Sequence, residues 1–186
     1  MQDINFKEEQ LIWDLLNVHL EQRLEMQRIV VSSVDENLRP QLRTMILRSL
    51  DAKAKCLYFF TDSRSPKIEQ WQNNRFSQVL AYSHAELLQL RFTAKVEILQ
   101  NGPLFESAKR GLKEHQFGDY SSPLPPGSNY NWAKSNPDEK LNFALVKMKI
   151  EQMEVLQLQT NAEEHLRYHY DYDPNPNPIK IKRLVP

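Results

Sequence analysis

The sequence has one cysteine, no excess of either charge and no long apolar run, and each shortage excludes a class of protein. Because Cys56 stands alone in 186 residues, the chain forms no internal disulfide and no structural zinc site built on several thiolates. A reducing compartment, the cytoplasm, is therefore expected. Twenty-four basic residues balance 24 acidic ones, which argues against a protein that coats nucleic acid or an anionic membrane. No apolar run approaches the ~20 residues of a membrane helix, and the polar start MQDINFKEEQ is not a signal peptide.

Familiar catalytic motifs are also missing. The four glycines form neither G-x-G-x-x-G nor a phosphate-binding P-loop, and there is no G-x-S-x-G nucleophile motif. His165 and His169 are four residues apart, but their segment is strand-like and no third ligand has a suitable spacing, so no metal is expected. Cys56 falls in a predicted strand, as a core residue does. The sequence therefore predicts that a bound cofactor carries out any reaction.

What the chain does contain is a series of short β-like segments between a few helices. Helical spacing of apolar residues predicts a first helix over residues 6–25, and Ser65-Pro66 opens a second that stops at Asn73-Asn74. Alternating or β-branched segments predict strands at 29–34, 41–50, 56–62, 76–83 and 88–99. The first three strands are joined by short polar turns, which predicts an antiparallel meander.

The second half of the chain continues this pattern around a long loop. A helix is predicted over 104–118, followed by a proline-rich loop at about 118–138. Two strand-like runs follow at 142–150 and 153–160, and after them come the segment 165–172 and a final short run at 179–186. The total of six or seven strands and three helices predicts a mainly β, α+β fold: an antiparallel sheet or small closed barrel with flanking helices, in a single domain over residues 1–186.

The segment FFTDSRSPK (59–67) is the most informative for function. It gathers hydroxyls and cations between the end of a strand and the start of a helix, at Thr61, Ser63, Arg64, Ser65 and Lys67. Helix N-termini present unpaired N–H groups and partial positive charge, which suit phosphate. Hydroxyls and cations in the same turn add charge-assisted hydrogen bonds. From this segment alone, a phosphate site and a capped helix with solvated charges both remain open.

Two further patterns are weaker. Arg43 and Arg48 bracket an apolar strand at an odd spacing, so a site that uses both needs a bulge or a barrel edge; otherwise they are solvated flanking charges. In the strand 88–99, apolar residues face one way and polar residues the other, beginning with Gln89. That polar row is either the wet side of an antiparallel sheet or the lining of a ligand site.

Three segments in this order resemble the pyridoxamine-phosphate oxidase-like family of FMN-binding split barrels. They are RTMILRSLD (43–51), YFFTDSRSPK (58–67) and QLRFTAKVEIL (89–99). The resemblance extends from about residue 30 to residue 99 and returns in the final IKRLVP. It implies an antiparallel split β-barrel, FMN as the cofactor, and a homodimer with the flavin site at the subunit interface.

The resemblance also implies roles for individual residues at the phosphate end of FMN. Arg43 and Arg48 would hold the phosphate and the groups near it. Ser65 and Lys67 would complete the phosphate cradle, in agreement with the argument from the helix terminus.

At the flavin end, the resemblance implies a second set of contacts. Thr61 would meet the flavin through its backbone or hydroxyl, and Gln89 would bond to the ring edge. Leu156 and Arg167 fall near positions that approach the flavin of the neighbouring subunit.

The sequence departs from the oxidase proper at three places. Pro66 stands where an arginine is usual beside the lysine, and Arg64 is the candidate to reach in instead. Leu156 stands where a tryptophan is usual. The segment EEHLRYHYD (163–171) lacks the Arg-x-His-Asp-Arg substrate signature. These departures, with the proline-rich loop, indicate a variant branch of the family.

The implied function is an FMN-dependent oxidoreductase that takes a hydride from a small-molecule donor and passes electrons to oxygen or another acceptor. The alternative is a non-catalytic protein that stores FMN or senses its state. A related alternative is another planar cofactor, either haem, with His19, His84 and His115 as possible ligands, or a deazaflavin. Neither nucleic acid nor a membrane is expected as a partner.

Overall fold

The computed structural model describes residues 8–129, 140–158, 165–172 and 180–186. In these ranges the strands are β1 (Arg28–Val34), β2 (Pro40–Asp51), β3 (Cys56–Asp62), β4 (Phe76–Ser83), β5 (Leu88–Leu99), β6 (Phe143–Gln157), β7 (Leu166–Asp171) and β8 (Lys180–Leu184). The α-helices are α1 (Glu9–Glu21), α2 (Pro66–Asn73), α3 (Pro103–Arg110) and α4 (Glu114–Tyr120). No helix within the described ranges is long and apolar enough to cross a membrane.

Six antiparallel strands close into a barrel. Their order is β3-β2-β1-β4-β5-β6, and β6 pairs back onto β3. The 15-residue β6 makes the closure possible, because its first half pairs with β3 and its second half with β7. β7 and β8 therefore extend the sheet past the barrel. The predicted mainly β fold, an antiparallel split barrel with flanking helices, is confirmed.

The barrel interior is the main hydrophobic core. Along β5, Leu90, Phe92 and Ala94 are fully buried, as the alternation in the sequence predicts. α1 packs against the same core with a stripe of buried residues, Ile12, Trp13 and Leu16. Burying this apolar surface is the principal stabilising term, roughly 25 cal/mol per Å².

A second, smaller core lies where α3 and α4 pack on the outside of the barrel. The ring of Phe143 is at its centre, 5.0 Å from the ring of Phe60 and 5.4 Å from the rings of Phe105 and Tyr120. Leu145 from β6 is buried in the same cluster. These aromatic contacts hold the two helices beside the segment that ends β3.

Two predicted boundaries are wrong, for identifiable reasons. The helix expected over 104–118 is two helices: α3 ends before Gly111, and the side-chain oxygen of Gln116 accepts a hydrogen bond from the N–H of Lys113 (2.9 Å), which begins α4. The strands expected at 142–150 and 153–160 are one strand, β6. A bulge at Glu151 shifts its register against Thr93 and Ala94, so the apolar pattern breaks while the strand continues.

Two other expected elements differ in extent. The first helix begins at Glu9 and ends at Glu21, and a short 3₁₀ turn precedes β1. α4 continues to Tyr120, so the proline-rich loop starts later than expected. Its residues 130–138 lie outside the described part of the chain.

Candidate functional site

The turn between β3 and α2 is built as the sequence predicts. Ser65 precedes the first helical residue, Pro66, and its carbonyl accepts the N–H of Ile68 at 2.9 Å. The Ser65 hydroxyl accepts a hydrogen bond from Lys67 Nζ at 2.5 Å. The turn therefore brings a hydroxyl and an ammonium group together at the positive end of a helix.

Arg43 of β2 lies over the same helix. Its Nη2 donates to the side-chain oxygen of Gln70 at 3.2 Å, and its guanidinium carbon is 5.8 Å from the centre of the Trp71 ring. Burial lowers the pKa of Arg43. The second terminal nitrogen, Nη1, is buried and has no hydrogen-bond partner among the described residues. An unpartnered buried donor costs free energy, so it marks a place where an acceptor fits.

Lys67 adds a second half-buried cation next to Arg43. Burial, aided by the positive charge of Arg43 and opposed by Asp62, lowers the pKa of Lys67 from 10.5 to about 8. Two cations this close are unfavourable unless an anion binds between them. The arrangement therefore fits a phosphate group.

The carboxylate of Asp62 does not neutralise this pair, because Arg64 occupies it. Arg64 Nη2 and Nε donate to the two carboxylate oxygens at 2.7 and 3.1 Å, and Nη2 also donates to the carbonyl of Ser122 at 2.7 Å. This geometry directs Arg64 away from the role proposed for it in place of the missing arginine at Pro66. Arg64 instead ties the turn to the segment after α4.

Arg48 lies on the outer face of the barrel. Its guanidinium carbon is 5.5 Å from the centre of the Phe60 ring and lies beside the hydroxyl of Tyr120. The pairing of β2 with β3 has a bulge at Arg48, between Leu47 and Ser49. The bulge comes after Arg43 in the strand, and it does not bring the two arginines to one face. Arg48 Nε is buried, and the described part of the chain offers it no hydrogen-bond partner.

Thr61 is the second-last residue of β3. It is 5% exposed, and it pairs with Ala144 of β6. A ligand at the end of β3 could meet Thr61 through its backbone or its hydroxyl.

Gln89, Leu156 and Arg167 form a row across three neighbouring strands. Gln89 of β5 stands opposite Leu156 of β6, which stands opposite Arg167 of β7, so the three side chains share one face of the sheet. Arg167 Nε is buried and lacks a hydrogen-bond partner in the ranges that the structure describes. The family resemblance implies that these residues approach a flavin. The structure places them side by side.

Glu154 holds this row in place and was missed by sequence analysis. It is 8% exposed and accepts hydrogen bonds from Arg167 Nη2 and Arg91 Nη2, both at 2.8 Å. The signal that could have found it is the register, because Glu154 is directly opposite Arg91 in the β5–β6 pair. A buried carboxylate between two arginines fixes both of them.

The other sequence candidates lie elsewhere. Cys56 is buried at the start of β3, where its thiol contacts the carbonyl of Ala54, and burial raises its pKa. His19 is a buried residue of α1, with Nδ1 accepting the N–H of Met26 and Nε2 lying 3.3 Å from a carboxylate oxygen of Glu86. The described residues contain no group of three or more potential metal ligands.

Comparisons with known proteins relate this chain to an FMN-binding domain. Residues 10–100 match the sequence model of a family described as "Pyridoxamine 5'-phosphate oxidase, FMN-binding domain". The curated "Pyridoxine/pyridoxamine 5'-phosphate oxidase 2" of Arabidopsis thaliana is 24% identical over 148 residues, which cover 72% of this chain and 74% of that protein.

Solved structures share the fold. A pyridoxamine 5'-phosphate oxidase-related, FMN binding protein from Nostoc punctiforme PCC 73102 has a TM-score of 0.77 at 18% identity, over 94% of this chain and 96% of that chain. PhzG from Burkholderia lata 383, in complex with tetrahydrophenazine-1-carboxylic acid, has a TM-score of 0.76 at 17% identity, over 95% and 91% of the two chains.

The predicted resemblance is thus confirmed by the family model, the curated relative and the solved structures. The family match spans α1 to β5, the part of the chain that carries Arg43, Ser65 and Lys67. The unpartnered donor of Arg43 and the half-buried Lys67 fit the phosphate of FMN, the cofactor of this domain. Through residues 10–100, the chain is therefore similar to the FMN-binding domain of the pyridoxamine 5'-phosphate oxidase family, and it shares the fold of the solved FMN-binding relatives.

Proposed function

We propose that the protein is a homodimeric, FMN-dependent oxidoreductase that acts on a small molecule. The observation that carries the proposal is the pair of half-buried cations at the start of α2, Arg43 and Lys67, with the Nη1 donor of Arg43 left unpartnered. The plant relative is named as an oxidase, which supports a redox role. A cytoplasmic setting is part of the same proposal and depends on the single, buried, free thiol of Cys56.

The chain's own contribution is to bind and orient the cofactor. Arg43, Ser65 and Lys67 hold the phosphate through charge-assisted hydrogen bonds at the N-terminus of α2. Arg48 would add a contact to the phosphate or the groups near it, and Thr61 would meet the flavin through its backbone or hydroxyl. When bound, FMN supplies two-electron redox chemistry, accepting a hydride from a donor and passing electrons to oxygen or another acceptor.

The row of Gln89, Leu156 and Arg167 supports a site that two subunits share. Its arginine is fixed by Glu154, whereas Arg43 contacts α2, so the two groups of candidate residues are anchored to different elements. In the proposed dimer, Leu156 and Arg167 of one subunit approach the flavin whose phosphate the other subunit holds, and two identical sites result.

The substrate signature of the oxidase proper is absent from residues 163–171, so a vitamin B6 compound enters only by analogy. The donor is a small amine, alcohol or other oxidisable molecule.

The test is a spectrum of the protein as purified, followed by anaerobic reduction. The oxidoreductase predicts a yellow protein whose flavin absorption bleaches when a donor is added without oxygen and returns in air. Flavin absorption that no amine, alcohol or cyclic acid bleaches, although dithionite does, would favour storage or sensing of FMN. A Soret band in place of flavin absorption would indicate haem.

A further inference from the structure

The carboxylate of Asp62, the last residue of β3, lies beside the proposed phosphate site. Asp62 is 4% exposed, and its negative charge raises the pKa of Lys67 against the larger, opposite effect of burial. An ammonium group binds a carboxylate and a phosphate through the same kind of charge-assisted hydrogen bond. A free Asp62 carboxylate would therefore compete with a phosphate group for Lys67.

Arg64 holds this carboxylate through three of its N–H donors. Nη2 and Nε donate to the two Asp62 carboxylate oxygens at 2.7 and 3.1 Å, and the backbone N–H of Arg64 donates to Oδ1 at 2.8 Å. The same Nη2 donates to the carbonyl of Ser122 at 2.7 Å, so the segment after α4 also fixes the guanidinium in place. Lys67 donates instead to the hydroxyl of Ser65. Asp62 is thus paired with Arg64 and not with Lys67.

The charges around the turn show what this pairing achieves. Asp62 and Arg64 neutralise each other, so the two other cations, Arg43 and Lys67, present two positive charges to a ligand. A phosphate monoester carries nearly two negative charges at neutral pH, which matches this pair. Without the guanidinium of Arg64, the same place would hold two cations and one carboxylate. Half of the positive charge that faces the phosphate would then be lost.

We infer that Arg64 is a positioning residue for the cofactor phosphate: it holds the Asp62 carboxylate away from Lys67, so that the ammonium group is available to FMN. The inference rests on the proposed function, because FMN is the ligand that brings the phosphate. Arg64 acts through Asp62 and needs no contact with the phosphate. This role differs from simple stabilisation of the turn, because removal of the Asp62 charge should make the charge of Arg64 dispensable.

The test compares FMN with riboflavin, which lacks the phosphate, in calorimetric titrations of the FMN-free protein at pH 7. Arg64→Met removes the guanidinium, and Asp62→Asn/Arg64→Met also removes the carboxylate charge. We expect Arg64→Met to weaken FMN binding by about tenfold or more, the equivalent of one charge-assisted hydrogen bond, and to leave riboflavin binding unchanged. The double variant should restore FMN binding to near the wild-type value. Arg110→Met removes an exposed positive charge from α3 and should match the wild type.

The pKa of Lys67 gives a second readout that needs no FMN. Within the described ranges, two charged groups act on its ammonium group, Arg43 from β2 and Asp62 from β3, and Arg64→Met retains both. NMR titration of the FMN-free protein, with labelled lysine side chains and Lys67→Met for assignment, follows this group. We expect Arg64→Met to raise the pKa of Lys67 above its value of about 8, because Asp62 then pairs with it. Asp62→Asn/Arg64→Met should return the pKa to that value or below.

The outcomes distinguish this inference from the proposed function. Unchanged FMN binding in Arg64→Met, equal weakening of both flavins, or no recovery in the double variant overturns the inference even when the wild type binds FMN. If Arg64→Met does not fold, Arg64→Gln serves in the same comparisons, because its amide keeps an N–H donor while the charge is lost. Failure of the wild type to bind FMN overturns the proposed function, and the pKa of Lys67 in the FMN-free variants then decides whether Arg64 controls its charge.

Discussion

The guanidinium of Arg43 lies 5.8 Å from the centre of the Trp71 ring, whose indole N–H donates to the carbonyl of Ser32 at 3.0 Å. Trp71 is 1% exposed, so this ring is a fixed support beneath the cation. It also joins α2 to β1, because Ser32 belongs to that strand. The position of the phosphate-binding helix and the orientation of Arg43 thus depend on one buried side chain.

Substitutions at Trp71 should separate these two roles. Trp71→Phe keeps an aromatic face but loses the hydrogen bond and some volume, so the free energy of unfolding should fall by about 1–2 kcal/mol. Trp71→Leu also removes the cation–π contact, and FMN affinity should fall by a further factor of about three to ten. Urea unfolding and FMN fluorescence titration measure the two effects. Equal FMN affinity in both variants would show that the ring does not support Arg43.

FMN affinity should depend on pH through Lys67. With a pKa of about 8 in the protein without phosphate, Lys67 loses its proton as the pH rises above 8. The dissociation constant for FMN should then rise by up to about tenfold per pH unit, because binding requires uptake of a proton. Lys67→Met should bind more weakly at pH 7 and lack this dependence. An equal pH slope in wild type and variant would rule out Lys67 as its source.

The same shift in pKa affects stability with the opposite pH dependence. Since the folded pKa of Lys67 is below its ordinary 10.5, the unfolded chain binds more protons between about pH 8 and 10.5. The unfavourable burial of the charge is therefore fully present below pH 8 and is relieved as the pH rises through that window. Relative to Lys67→Met, the FMN-free wild type should gain stability over this range in chemical denaturation.

Mixed dimers test whether two subunits share each site. One subunit carries Lys67→Ala and the other Arg167→Ala, each with a different affinity tag. If Arg167 of one subunit completes the FMN site of the other, one site of the mixed dimer has both defects and the other has neither. Half of the sites should then bind FMN with wild-type affinity. No high-affinity sites, with a correctly isolated mixed dimer, would place both residues in a site within one subunit.

Glu154 should be more important for stability than an exposed ion pair. Glu154→Ala leaves Arg91 and Arg167 facing each other without a carboxylate, and we expect a loss of about 1–3 kcal/mol, moderated because Arg91 is half-exposed. Glu154→Gln keeps an acceptor and should lose less. The difference should shrink in 1 M salt, roughly as screening of exposed charges requires. Identical unfolding curves for Glu154→Ala and wild type would contradict this role.

Local sequence patterns predicted the strands β3, β4 and β5 and the start of α2 at Pro66 to the residue. Strict alternation, a Ser-Pro helix start and short polar turns are all local signals, and here they agree with one another. The resemblance covered the same part of the chain, and it supplied the residues that we propose for the phosphate cradle.

The features that could not be predicted depend on pairing between segments far apart in the sequence. Closure of the barrel depends on β3 meeting β6, and no local pattern reports contacts between segments so far apart in sequence. The bulge at Glu151 hid the continuity of β6, and without that strand's register the role of Glu154 could not be seen. Likewise, the odd spacing of Arg43 and Arg48 indicated that they face opposite ways. Only the packed helices show that Arg43 contacts α2 and that Arg48 contacts Tyr120 of α4.

The central claim is that Arg43 and Lys67 hold the phosphate of FMN. Calorimetric titration of the FMN-free protein with FMN and with riboflavin, in wild type, Arg43→Ala, Lys67→Ala and the exposed control Lys109→Ala, tests it most directly. We predict weaker binding of riboflavin than of FMN, and a loss of about 1.5–3 kcal/mol in FMN binding for each site variant only. Equal binding of the two flavins, with both site variants matching the wild type, would contradict it.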